Sequence, residues 1–154
     1  MSAELATKIQ LGLDELPVIC GQMSPLIART HEPDLPLMET AAACAMLHSF
    51  YTGIEKILKI VALDRDRNIP SSESWHRDLL TQLAAPTESR PPVITNELVN
   101  RLLEFLAFRH LFRGASIALM RWNKLSPPVE KVEAVHREFV RELTQFHLFL
   151  ETSA

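Results

Sequence analysis

Apolar residues recur at helical spacing along almost the whole chain, and alternation of strand type is nearly absent. Residues 3 to 30 carry Leu5, Ile9, Leu13, Leu16, Ile19, Met23, Leu26 and Ile27 on this period, interrupted by Pro17 and Pro25. Each proline removes a backbone donor and crowds the preceding turn, so a kinked or broken first helix is expected. THEPDLP, from Thr30 to Pro36, has no apolar period and reads as a loop. A second long helix is predicted from Leu37 to about Leu63, with Leu47, Tyr51, Ile54, Leu58 and Val61 as its main stripe. His48, Tyr51 and Glu55 lie on consecutive turns beside that stripe.

DRDRNIPSSES, from Asp64 to Ser74, is polar and is expected to be a mobile loop offering Ser72 or Ser74 as an N-cap. SWHRDLLTQLA then makes a short helix packed through Trp75, Leu79, Leu80 and Leu83. Pro86, Pro91 and Pro92 bound another loop, and Thr95 caps a central helix running to about Met120. Ser126 followed by Pro127 reads as the start of the last helix, whose stripe is Val132, Val135, Phe139, Leu143, Phe146 and Leu150. The expected architecture is all-α, an up-and-down four-helix bundle with one short additional helix, in a single domain over residues 1–154.

The 154 residues suffice for a core without staples. A net charge of −3 is no electrostatic footprint for nucleic acid, although a local basic pocket could hold one phosphate. Cys20 and Cys44 both lie in apolar helical patterns and read as packing residues of a reduced, cytoplasmic protein. No apolar run is long enough to span a bilayer. The six histidines are scattered, no Gly-rich phosphate loop or zinc spacing occurs, and neither metal nor cofactor is expected.

Chemistry concentrates in LLEFLAFRHLFRGASIALMRW, from Leu102 to Trp122. Arg109, Arg113 and His110 project at roughly 0°, 40° and 100° around a helix and so share one side. Leu98, Leu102, Phe105, Phe112 and Leu119 follow the line of Arg109, which sets its guanidinium toward the core. A buried arginine keeps its charge and needs an acceptor, either a carboxylate from another helix or an external anion such as phosphate. Glu55 is the carboxylate in the well-patterned middle of the second helix; it pairs either with Arg109 or, at the surface, with Lys59. His76, beside Trp75, is either a packed residue at a helix start or a catalytic base. Candidate catalytic groups are thus Arg109, His110, Arg113 and His76, and candidate anion or ligand contacts add Tyr51, Glu55 and Trp75.

FRHLFRGAS within LLEFLAFRHLFRGASIAL, with LHSFYTGIEKILKIV at 47–61 and SWHRDLL at 74–80, resembles the HepT-like branch of the HEPN superfamily. The resemblance implies an all-α bundle, usually dimeric, related to toxin ribonucleases and to substrate-binding companions of minimal nucleotidyltransferases. That family's signature is Arg, four to six residues, then His, commonly extended to His-x-Tyr. Arg109 matches the arginine, but Gly114 stands at the histidine and Ser116 at the tyrosine. The resemblance therefore implies a catalytically degenerate binding or interaction module, a homodimer with a possible nucleotidyltransferase partner. Two other readings stay open: a metal-independent ribonuclease toxin with a relocated base, acting on RNA or a nucleotide, and a nucleotidyltransferase substrate-binding subunit. Gly114, costly inside a helix, is expected to allow a second copy to approach along a face with His110 and Ile117.

Overall fold

A computed structural model describes residues 2–114 and 117–153. The chain is all-helical, 78% helix, with no strand among the described residues. Four long helices make the bundle: α1 (Ser2–Gln22), α3 (Leu37–Val61), α5 (Asn96–Gly114) and α6 (Trp122–Thr152). The short α2 (Ser24–Ile27) and α4 (Trp75–Ala84) are appended to them. Helix α3 is central and packs against α1, α4, α5 and α6. Its stripe of Leu47, Phe50, Tyr51, Ile54, Leu58 and Val61 is at most 1% exposed. The most intimate crossing is with α1, where a Cβ placed on Gly12 would stand 2.6 Å from Ile57 Cγ1. Only a residue without a side chain lets the two helices approach that closely.

The prolines act differently from one another. Helix α1 continues through Pro17, and the chain breaks after Gln22, with Pro25 entering α2 in its first turn, where the missing N–H costs nothing. Helix α6 begins at Trp122 and carries Pro127 and Pro128 inside it, instead of starting at Ser126. Trp122 and Leu125 continue the Val129 and Val132 stripe backwards, and both are fully buried. Their burial offsets the two backbone hydrogen bonds that the prolines forfeit in the second turn.

Thr95 does cap α5: its Oγ1 accepts from Leu98 N at 3.2 Å. The central helix ends at Gly114, short of Met120, and a 3₁₀ turn (Ile117–Leu119) leads to α6. Leu119 consequently leaves the stripe of Arg109 and is 75% exposed. Gly114 is the last described residue of α5, and the face expected to meet a second copy through His110, Gly114 and Ile117 falls partly outside the described residues. Ser116 lies outside the described residues.

The stretch expected to be mobile begins as a turn of π-helix (Ala62–Asp66) and is tied down at Asp66. Arg90, from the proline-bounded loop, is fully buried in its side chain and grips Asp66 through Nε at 2.7 Å and Nη2 at 2.6 Å. The same guanidinium donates to the carbonyls of Ala85, Pro91 and Gln82. This clamp holds the C-terminal end of α4 against the π-helical turn. No helix is long and apolar enough to cross a membrane among the described residues.

Candidate functional site

Three helices meet at His76. It occupies the second position of α4, whose start is held by Ser72 and Ser74 hydroxyls donating to Asp78 Oδ2 at 2.7 and 3.0 Å. From α3, Glu55 Oε2 faces His76 Nδ1 in a short hydrogen bond. From α5, Arg109 Nη1 lies 3.0 Å from His76 Nε2. A guanidinium can only donate, so Nε2 accepts from Arg109 and the ring carries its proton on Nδ1, which donates to Glu55. The result is a continuous chain, Arg109 to His76 to Glu55, crossing from α5 through α4 to α3.

Burial strengthens the inner half of this chain. The side chains of Glu55 and His76 are 9% and 13% exposed, while Arg109 is half-buried. Arg109 therefore does find an internal acceptor, but it is His76; the carboxylate of Glu55 lies one link further on. Glu55 pairs with the histidine rather than with Lys59, whose Nζ sits over the Trp75 ring at 4.7 Å. Trp75 also lies against His76, with ring centroids 3.6 Å apart and planes tilted by 30°. The imidazole is thus fixed by two hydrogen bonds and one ring face.

Tyr51 is buried one turn before Glu55, and its Oη has no hydrogen-bond partner among the described residues. Burial pushes its phenol well above the ordinary range; the Glu55 charge adds to that and Arg109 opposes it. His48, one turn earlier again, also leaves its Nδ1 unpartnered, with its ring 5.7 Å from that of Phe112. Two orphaned polar atoms on one stripe of α3 thus face the helix that carries Arg109. His110 and Arg113 point elsewhere: both are exposed, and neither enters the chain through His76. The structure therefore brings together Tyr51, Glu55, Trp75, His76 and Arg109, and leaves His110 and Arg113 outside.

Sequence reasoning missed Arg90 and Glu142. Arg90 stands between loop residues with no period to mark it. Glu142 lies on the buried side of α6 and accepts from Thr95 N at 2.5 Å and Thr95 Oγ1 at 3.1 Å, holding the entry of α5. Its place on the Phe139, Leu143 and Phe146 side of the helix was a legible signal, since an acid there needs a donor from another element. No group of His, Cys, Asp or Glu arranged to hold a metal occurs among the described residues. Cys20 and Cys44 are free and buried, and burial pushes the Cys20 thiol up to about 11.

No curated protein and no solved structure shows significant similarity. A family model described as HepT-like protein aligns with residues 42–150, which takes in α4 and the whole of α3 from its second turn, α5 and nearly all of α6. That span includes every residue of the Glu55, His76 and Arg109 chain, and with most of the sequence matched, this protein belongs to the HepT-like family.

Proposed function

We propose that this protein is a catalytically silent HepT-like module that works by binding. Its partner is a minimal nucleotidyltransferase in a toxin–antitoxin-like pair, and the working unit is a cytoplasmic homodimer. One observation carries the reading: Arg109, the motif arginine, is engaged by His76 and backed by Glu55, while the position five residues on is Gly114. Metal-free RNA cleavage needs a base for the ribose 2′-hydroxyl and a free cation for the charge that builds on phosphorus. Losing the base alone removes about 10²–10⁴-fold. Arg109 and Arg113, one turn apart, would still hold a phosphate or similar anion once Arg109 leaves His76. A substrate-binding subunit for the nucleotidyltransferase is the same reading with a small ligand added.

A second reading draws on the same histidine. A carboxylate behind Nδ1 and a lone pair on Nε2 are what a general base requires, so His76 could serve as the relocated base of a ribonuclease after Arg109 moves onto phosphate. RNA cleavage by wild type beside Arg109→Ala, His110→Ala and His76→Ala separates the two. The silent module should show no cutting in any of the four, and cutting by wild type that His76→Ala abolishes without unfolding would establish the ribonuclease. Cleavage appearing in Gly114→His/Ser116→Tyr would show that the scaffold retains the pocket and lacks only its base.

A further inference from the structure

Between Phe105 and Val129 the chain has no aspartate or glutamate, yet it has Arg109, His110, Arg113, Arg121 and Lys124. The remainder carries twelve Lys and Arg against nineteen Asp and Glu, so a weakly acidic protein holds one strongly basic stretch. The fold gathers that stretch at one end of the bundle, where α5 finishes and α6 starts. Arg109 turns inward to His76, and His110, Arg113, Arg121 and Lys124 are exposed. Helix α6, 31 residues long, has no acidic residue in its first turn and no side-chain cap. Its positive end therefore adds to the side-chain charges instead of being offset.

Beside these cations lies a hollow of about 400 Å³ between α5 and α6, with Ala107 and Phe108 on one wall and Pro127 and Pro128 on the other. Lys124 stands on its rim, and the acid at its far edge, Glu104, is neutralised by Lys131 at 2.6 Å. His110 follows Ala107 by one turn on the same face. Leu119, 75% exposed, projects from the linking turn.

We propose that this end of the bundle is a docking face for an acidic amphipathic segment of a protein partner. An apolar side chain of that segment enters the hollow, and its carboxylates meet Arg113, Arg121 and Lys124. Charge disfavours a second copy here, because a two-fold contact would bring two faces of the same net positive charge together with no carboxylate of this stretch between them. A nucleic-acid strand stacks its bases on exposed aromatic platforms, whereas Phe108, the aromatic on this wall, is 6% exposed and the open surface is proline, alanine and leucine. The inference rests on the reading of the protein as an interaction module, and it adds where and by what chemistry the partner binds.

The test uses the full chain and fluorescence anisotropy with three labelled probes. These are a synthetic helical peptide with leucines on one face and glutamates on both flanks, the same peptide with lysines for the glutamates, and single-stranded RNA. The acidic peptide should bind, weaken with salt, and lose at least tenfold in affinity on Arg121→Glu/Lys124→Glu, while Leu119→Ser should cost several-fold. All three positions are exposed, so unchanged thermal melts will show that the variants fold. Failure of the acidic peptide to bind, indifference to the charge reversals, or tighter binding of RNA at the same residues would each overturn the proposal. Co-purification with a co-expressed minimal nucleotidyltransferase separates the two levels. Capture by wild type and by Arg121→Glu/Lys124→Glu alike would sink the docking face and leave the module. No capture by wild type, with peptide binding as expected, would sink the nucleotidyltransferase reading and leave the face.

Discussion

Replacing His76 by alanine removes the central link of the Arg109, His76 and Glu55 chain, and the structure sets how the cost divides among the three residues. Glu55 is left as a carboxylate 9% exposed with no donor, and Trp75 loses the ring stacked on it. Stripping one partner from a fully buried charged pair costs about 3–5 kcal/mol, and the partial exposure of His76 brings the expectation to about 2–4 kcal/mol. Arg109→Ala removes one hydrogen bond at a half-buried site and leaves His76 on Glu55, so its cost should be about 1 kcal/mol. In a domain of this length His76→Ala should then lower Tm by roughly 5–12 °C. Urea unfolding followed by circular dichroism and tryptophan fluorescence measures both substitutions, and an unchanged m-value will show that the unfolded state is unaltered. Space opened by His76→Ala lets Arg109 swing onto Glu55; if it does so, the double variant will cost more than the two singles together. A long-range ¹H–¹⁵N spectrum should show the proton on His76 Nδ1. The reasoning fails if His76→Ala is within about 0.5 kcal/mol of wild type, or if Arg109→Ala is the more costly single change.

Arg90→Ala removes five donated hydrogen bonds and leaves the Asp66 carboxylate with Gln82 as its remaining side-chain donor, so it should destabilise by about 3–5 kcal/mol in the same urea assay. Burial works against ionisation of Asp66, but hydrogen bonds from Arg90 and Gln82 and the Arg90 charge hold its carboxyl below the usual range. The stability it contributes is present above the unfolded pKa and is lost as pH falls through the folded one, and Asp66→Asn should remove that acid dependence. Glu142 behaves oppositely: burial, then its hydrogen bond with Glu138, pushes it up to about 7, while Glu138, held by Arg141, is pushed down to about 2. Stability from protonated Glu142 is full below about 4.5 and is lost as pH rises through about 7, so urea midpoints should decline across that window and Glu142→Gln should flatten the decline.

The helices were legible because their apolar stripes are long and regular: Val132 to Leu150 on α6 and Leu47 to Val61 on α3 are buried as their spacing requires. Helix ends were less legible, since they depend on contacts between elements. Ser126 and Pro127 form a good local start signal, and it lost to the burial of Trp122 and Leu125. The α5 stripe was read on to Leu119 because spacing alone cannot register that an α-helix has given way to a 3₁₀ turn by Ile117. The site divided in the same way. Sequence spacing placed Glu55 and Arg109 on facing stripes, but their separation is bridged by a residue of a third, short helix, and helical periodicity within α3 and α5 holds no information about α4. The C-terminal end of α4 is held instead by Arg90 from a loop and Asp66 from the π-helical turn, and no period marks either.

That division explains how one helix serves two environments with adjacent cations. Arg109 and His110 are neighbours in sequence, but roughly 100° of rotation separates them. The first turns to a histidine whose far side is a carboxylate, so its charge is balanced within the fold and holds α3, α4 and α5 in register. The second, with Arg113, faces outward where no acid of its own helix answers it. An arginine released from His76 would add to that exposed charge and would leave His76 held by Glu55 and Trp75. Any anion that competes for Arg109 therefore draws on the same hydrogen bond that fixes α4, and binding at this face should be felt at Trp75, whose indole rests on His76.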